Sequence, residues 1–490
     1  MSLFGEKLQK IIENNEINVY RLTQQAGIER TMIHKIISNT RIPDAEYVRR
    51  LIAALPVSPF EQEELQTAYN ISKDGELLYN QRGQVKRLIE KMYDLQKLYP
   101  AIETAAPRVE ENADRPEIEV IRGELSLNRL VDDVLRREAL EPNPYVFLTI
   151  PHEYTFFFDS LFLHSCKNPA LKVECLFEFS KNADIAREKY NANLDIIDTL
   201  LPFIMHGGSN FTAYYVYSVY PAKYTATIPM PYFVGTSGCV VAIAADLQSA
   251  IVYRNAGVTN QYRQAFDNLK GKGQPLIGSL ASMEDIAKWY AENADKDSTT
   301  LSGFGSHPCI AMYYDRVTLN ALMLPDLPNR DVLLNVLETV YHGTNRMLRN
   351  GNNPSYFTLE GFDVFVREGR IETISEAFLR PYTPAARAGV IRKMIADTES
   401  GLMLYRVINT AKIRTPSKFY ADVFSGSHIN FAMGGPDSQK RISTVHICET
   451  GVTEAFHDFL LNAINTDMLY SKADTLREFY TALDKLEGKG

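Results

Sequence analysis

Through the first hundred positions the apolar residues fall at helical spacing. Leu3, Leu8, Ile11 and Ile12 turn one face of a helix inward, and "ENNE" (13–16) closes it. Asn18 offers a side-chain oxygen to cap a second helix, Val19 to Gln25, with Leu22 and Ala26 inside. Gly27 can take the left-handed conformation that ends a helix, and Ile28 plugs the turn. A third helix from about Arg30 to Ile37 buries Ile33, Ile36 and Ile37. Its other face presents Arg30, Thr31, Met32, His34 and Lys35. Pro43 is preorganised for a helix start, and Tyr47, Val48, Leu51, Ile52 and Leu55 form a fourth stripe. "SPFEQEELQTAY" (58–69) reads as a fifth, acidic helix. "QVKRLIEKMYDLQKL" (84–98) places Val85, Leu88, Ile89, Met92, Leu95 and Leu98 on one face. That face suits packing on a second copy or on its own chain equally. "AIETAAPRVEENADRP" (101–116) has the proline and charge content of a linker.

Beyond residue 117 the period changes. "NPYVFLTI" (143–150), "LKVECLFEF" (171–179), "FTAYYVYSV" (211–219) and "YFVGTSGCVVAIAA" (232–245) are β-branched and aromatic, and read as strands. "LNRLVDDVLRREAL" (127–140) and "NANLDIIDTLLPFIMH" (191–206) read as helices. Two stretches recur. "YYVYSVYPAKY" (214–224) matches "LYRVINTAKI" (404–413), with the Ala-Lys pairs 189 residues apart. "AGVTNQYRQAF" (256–266) matches "TGVTEAFHDFL" (450–460), with the Gly-Val-Thr triplets 194 apart. The same order of strands before a Thr-capped helix predicts a duplicated module whose halves face each other across a small-ligand cleft. The expected chain is multidomain. An all-α head (1–70) and a connecting helix and linker (71–116) precede a mixed α/β (α+β) body in two halves, 117–295 and 296–490.

The pattern of residues 4–55 resembles the five-helix Cro/lambda-repressor class (XRE-type) of helix-turn-helix regulators. It carries Leu22-Thr23 in the second helix, Gly27-Ile28 in the turn, and Ile33 and Ile36 in the third. The resemblance implies that the third helix enters the major groove. Arg30, Thr31, Met32, His34 and Lys35 then meet base edges, Arg30 reading a guanine and Met32 a thymine methyl. Asn18, Asn39 and Arg41 lie at phosphates. Three positions depart from the family: Val19 stands where a phosphate-binding Gln is common, Glu29 where a Ser or Asp caps the third helix, and Thr23 where Ala is usual. The first two imply weak binding by a single head, and hence a use for pairing two.

Charge sharpens this division. The net charge of −8 opposes binding to nucleic acid, but residues 1–60 hold eight Lys/Arg against six Asp/Glu, so the excess acid lies in the body. At 490 residues and 45% hydrophobic, the composition is that of a globular protein with several cores. Five widely spaced Cys without C-x-x-C suit a reducing compartment. With no apolar run near 20 residues and no secretion segment after "MSLFGEKLQK", a cytoplasmic location without membrane contact is expected.

Candidate chemistry in the body is sparse. Its helix, hairpin and final helix weakly resemble the phospholipase D fold, used in duplicate and without activity by some regulators. None of the nine His has Lys two residues on, so the His-x-Lys that such enzymes need is missing. "HGGSNF" (206–211), "GFGSHP" (303–308) and "SGSHIN" (425–430) bring Ser near His without the G-x-S-x-G elbow. "HPC" (307–309) and "HIC" (446–448) lack further ligands in register. The resulting expectation is a transcriptional regulator that is not an enzyme and has no cofactor or metal. Its partners are a double-stranded operator, a second copy, and an unidentified small-molecule or protein effector. A DNA-targeted enzyme, and an interaction module of an antitoxin or phage-related system, stand as alternatives.

Overall fold

Capping side chains set where the N-terminal helices begin. In the computed structural model, which describes residues 2–98, 115–206, 210–217, 229–279, 300–348, 351–371, 379–434 and 442–488, Ser2 accepts from Gly5 N ahead of α1 (Leu3–Asn14). Asn18 accepts from Arg21 N ahead of α2 (Val19–Ala26). α3 (Arg30–Ile37) starts at Glu29 without a side-chain cap. α4 (Ala45–Ala54) starts behind Asp44 rather than at Pro43. The Asp44 carboxylate takes the Tyr47 N–H at 2.7 Å, while the Pro43 carbonyl accepts from the Tyr69 hydroxyl at 3.0 Å. A reciprocal Ser58–Glu61 capping box opens α5 (Pro59–Asp74), five residues longer than the pattern suggested. Phe4, Leu8, Ile33, Val48, Leu51 and Leu65 are at most 1% exposed and form this region's core. Each contributes roughly 1.5–3 kcal/mol by leaving water.

The chain divides into two units: residues 1–84 with 182–191, and 85–181 with 192–490. In the first, amide side chains hold the segment 182–191, which opens with the one-turn helix α9 (Asn182–Ile185), to the start of α6 (Glu76–Leu98). Gln84 Nε2 donates to Asn191 O at 3.0 Å, and Asn191 N donates back to Gln84 Oε1 at 3.1 Å. From Val85 onward α6 belongs to the second unit, and its apolar face is used there. Val85, Leu88, Ile89 and Met92 are 0–2% exposed in that unit's main core. The face is therefore not available for pairing with a second copy. Most of the expected linker, 101–114, lies outside the described residues.

The second unit is mixed α/β. Strands β1 (Ile118–Arg122), β2 (Tyr145–Thr149), β3 (Lys172–Phe179), β4 (Phe211–Tyr217), β5 (Tyr232–Gly235), β6 (Val240–Ile243), β7 (Ser249–Tyr253) and β8 (Gln274–Ser279) come first. They are followed by β9 (Leu301–Gly305), β10 (Asn353–Phe357), β11 (Met403–Val407), β12 (Phe419–Phe424), β13 (His428–Gly434) and β14 (Ile442–Ile447). The stretch read as one strand over 232–245 is the hairpin β5–β6, turned by Thr236–Cys239. Helices α7 (Glu124–Glu138), α8 (Thr155–Lys167) and α10 (Ala192–His206) belong to the earlier run, which ends in α11 (Ala256–Lys270). The later run contains α12 (Arg316–Leu322), α13 (Arg330–Met347), α14 (Leu359–Glu368) and α15 (Pro384–Ser400), and ends in α16 (Thr450–Ala463) and α17 (Lys472–Leu486).

Among the described residues the strands form one 14-stranded sheet, β1-β7-β6-β5-β2-β3-β4-β8-β14-β13-β12-β9-β10-β11. The order β7-β6-β5-β2-β3-β4 of the earlier run returns as β14-β13-β12-β9-β10-β11. In both, three parallel strands are followed by three antiparallel ones. The two runs do not face each other across a cleft. β8 pairs antiparallel with both β4 and β14, so they lie edge to edge. Neither repeated helix is capped by its Thr. Asn255 caps α11 and Glu449 caps α16, and the Thr259 and Thr453 hydroxyls donate to those residues' carbonyls at 3.1 and 2.9 Å.

Candidate nucleic-acid interface

The geometry between α2 and α3 follows from one residue. Gly27 has φ +62° and ψ +41°, and its N–H donates to Thr23 O. A Cβ at Gly27 would meet nothing within 4 Å, so the demand for glycine is conformational and not steric. Ile28 N also donates to Thr23 O, at 3.1 Å, which closes the turn. Thr23 is 4% exposed, and its hydroxyl goes back to Tyr20 O at 2.8 Å. The Thr is thus accommodated where a smaller residue packs in the resembled family.

α3 turns Ile33 and Ile36 into the core at 0–1% exposure, which leaves Arg30, Thr31, His34 and Lys35 exposed. Met32 is half-buried and packs on the same core. Asn18 is exposed, with its side-chain oxygen spent on Arg21 N at 3.1 Å. Asn39 follows α3 at φ +61°, and Arg41 is exposed. Four of the eight expected contact residues therefore share the outer face of one short helix. The others flank it or are committed in part to the fold.

Glu29 is exposed and holds α3's start differently from a short cap. Its carboxylate accepts from Thr31 Oγ1 at 3.4 Å, and its carbonyl accepts from the Tyr47 hydroxyl at 3.3 Å. Burial, then the Glu29 charge, pushes that phenol up to about 12. Two further residues shape the surface and were not singled out by pattern. Arg50 reaches the Gly27 carbonyl at 3.4 Å and sets a cation at the turn. Gly5 lets α1 approach α3, since a Cβ there would lie 2.5 Å from Ile36 O. Over residues 17–50, six Lys/Arg stand against three Asp/Glu. Arg50 meets Gly27 across 23 residues and Gly5 meets Ile36 across 31, so no local pattern marks either.

In the body, Ser306 Oγ donates to Phe419 O at 3.2 Å, and His307 bonds the Pro308 carbonyl at 3.1 Å while stacking on Tyr420. Burial pushes the Cys309 thiol up to about 12 and that of Cys448 up to about 11. Residues 207–209 of "HGGSNF" lie outside the described residues. No helix among the described residues is long and apolar enough to cross a membrane.

No family model matches the chain, and no curated protein matches it. Solved structures to which it is similar include TrmBL2, described as an archaeal chromatin protein with a novel mode of DNA binding. There the identity is 12% and the TM-score 0.21, over 55% of this chain and 98% of the other. Another is phosphatidylserine synthase from Haemophilus influenzae, at 9% identity and a TM-score of 0.21, over 81% of this chain and 98% of the other. This second match corrects one expectation. A structure named as a synthase stands among those similar to the chain, and the reading of the chain as a non-enzyme is withdrawn.

Proposed function

We propose that the chain is a sequence-specific DNA-binding regulator of transcription. Residues 1–70 serve as a helix-turn-helix head of the XRE type, residues 71–116 connect it, and the duplicated body, 117–295 and 296–490, senses an effector. The observation that carries this reading is the outer face of α3, where Arg30, Thr31, His34 and Lys35 stand exposed behind a left-handed Gly27 turn. A short helix presenting donors and cations in its first turns fits the width of the major groove. The repeated strand order of the body supports duplication. Two copies on adjacent half-sites would supply the affinity that Val19 and Glu29 withhold, and an effector that changes their spacing would control binding. Since the apolar face of α6 is buried in its own chain, such pairing uses another surface.

The test is fluorescence anisotropy with fragments from upstream of the protein's own coding region. Arg30→Ala is expected to weaken the best site about tenfold or more and to relax its preference at one base pair. Lys35→Ala should lower the salt slope by about one. Equal binding by wild type and Arg30→Ala at every salt concentration would remove α3 as the reading helix.

A further inference from the structure

A row of polar side chains crosses the later run of the sheet. Asp422 of β12 stands opposite Gly303 of β9 on one side and Asn430 of β13 on the other. Asn430 stands opposite His446 of β14, and His446 opposite Gly278 of β8. Directly opposed residues share a sheet face, so Asp422, Asn430 and His446 lie side by side, with a glycine at each end. Both glycines give room. A Cβ on Gly303 would lie 1.9 Å from the Tyr420 hydroxyl, and one on Gly278 would lie 2.2 Å from His446 Nε2.

The row is not satisfied by the protein. Asn430 Oδ1, His446 Nδ1 and the Tyr420 hydroxyl are buried without a hydrogen-bond partner. Asn430 is only 7% exposed. Burial alone acts on the Asp422 carboxyl and raises it to about 7; no donor or cation draws it down. Leaving one such group unpaired costs about 1–3 kcal/mol, and several at adjacent positions mark a place where something else completes the bonding. Asp422 and His446 each keep a small part of their surface exposed.

We propose that this row binds a primary ammonium group, taking up a small aliphatic amine. The Asp422 carboxylate and Asn430 Oδ1, directly opposed on neighbouring strands, can both accept from it, while the Tyr420 hydroxyl over Gly303 and the His446 ring over Gly278 mark the two ends of the row. An ammonium group is three donors with no lone pair of its own, so it can serve both acceptors without bringing a further acceptor into the row, as a hydroxyl would. Its charge also offsets the cost of an ionised Asp422 away from water. Two stacked aromatic pairs flank the row along the strands. Tyr420 lies on His307 with centroids 4.7 Å apart, and Phe424 lies on His428 at 4.5 Å. Such faces suit both a cation and a short alkyl chain. The proposal is independent of DNA binding, since the site is read without DNA.

Titration calorimetry of the full chain near neutral pH, with n-butylammonium chloride as probe and n-butanol as its uncharged counterpart, tests this. The amine is expected to bind saturably and the alcohol not. Asp422→Asn should weaken the amine at least tenfold, and Asn430→Leu should weaken it as well. Binding should also expel the Asp422 proton, so the measured heat should change between phosphate and Tris buffers. This last readout needs no variant to fold. Equal binding of the alcohol, an unchanged affinity in a folded Asp422→Asn, or no saturable heat from the amine would overturn the proposal.

Discussion

The earlier and later runs of the sheet share one strand order, yet they settle the same packing problem with their residues exchanged. In the earlier run Phe147 of β2 lies opposite Gly235 of β5, and a Cβ on that glycine would fall 2.1 Å from the ring. In the later run the glycine is on the strand corresponding to β2. Gly305 of β9 lies opposite Tyr420 of β12, whose hydroxyl also covers Gly303. Each run needs a ring lying flat on a bare backbone, and either strand can supply it. The closing helices differ in the same spirit. α11 buries Thr259 and Phe266 and is otherwise largely open, whereas α16 buries residues from Gly451 to Ala463 on most of its turns. Repeated topology therefore does not imply repeated chemistry, and this is why the polar row of the later run has no counterpart to read from the earlier one.

The caps give the sharpest way to break the comparison. Asn255 and Glu449 occupy equivalent positions, and each accepts from the third residue on, Val258 N at 3.2 Å and Val452 N at 2.8 Å. Glu449 is fully buried and also takes the Tyr217 hydroxyl at 2.8 Å. Glu449→Ala leaves two donors without an acceptor and should cost about 3–4 kcal/mol in guanidinium unfolding. Asn255→Ala removes one cap bond and one exposed bond to Glu117, and should cost about 1 kcal/mol. Equal losses would mean that the two helices are held alike after all.

The glycines come next. Gly235→Ala drives a methyl group into the end and both edges of the buried Phe147 ring, which cannot retreat without moving Phe233 and Phe266 beside it. About 3 kcal/mol of stability should be lost. Gly303→Ala meets the far end of Tyr420, where a small swing relieves the contact, and about 1 kcal/mol is expected. Thermal unfolding of both variants side by side reads the difference.

The N-terminal helices were legible because their signals are local. A cap, a glycine at positive φ and a 3.6-residue stripe all lie within eight positions of what they determine, as at Asn18, Gly27 and the Ile33–Ile36 face. The body was legible only as strands and helices. That β8 would join β4 to β14 depends on pairings some 170 residues apart, and neither its short sequence nor its period announces them. The apolar face of α6 shows the limit clearly. Val85, Leu88 and Met92 have the same spacing whether they meet a second copy or their own chain, and only the fold decides. The polar row was invisible for a similar reason. Asp422, Asn430 and His446 come from three strands, and each alone is an ordinary polar residue in a β-rich stretch.

A pH-dependent difference concerns that row when it is empty. With its folded-state carboxyl raised to about 7 against an ordinary value of 3.8, Asp422 holds its proton longer in the folded chain than in the unfolded one. Its contribution is therefore most favourable below about pH 4, is lost as pH rises from about 4 to about 7, and is constant above that. Asp422→Asn removes the penalty while keeping the shape, so its advantage over wild type should grow across that window and then level off. At pH 8 the variant should unfold about 5 °C higher than wild type, and at pH 4 the two should nearly coincide. The Cys309 thiol and Tyr420 phenol, whose charges would act on Asp422, are pushed upward and stay neutral throughout, so they add no slope. His446 is lowered by burial and titrates with the opposite sign, but it is common to both proteins and cancels in their difference. An advantage that is the same at both pH values would mean that Asp422 does not titrate in this window. It would then behave as a solvated surface carboxylate, and the later run would differ from the earlier one only in packing.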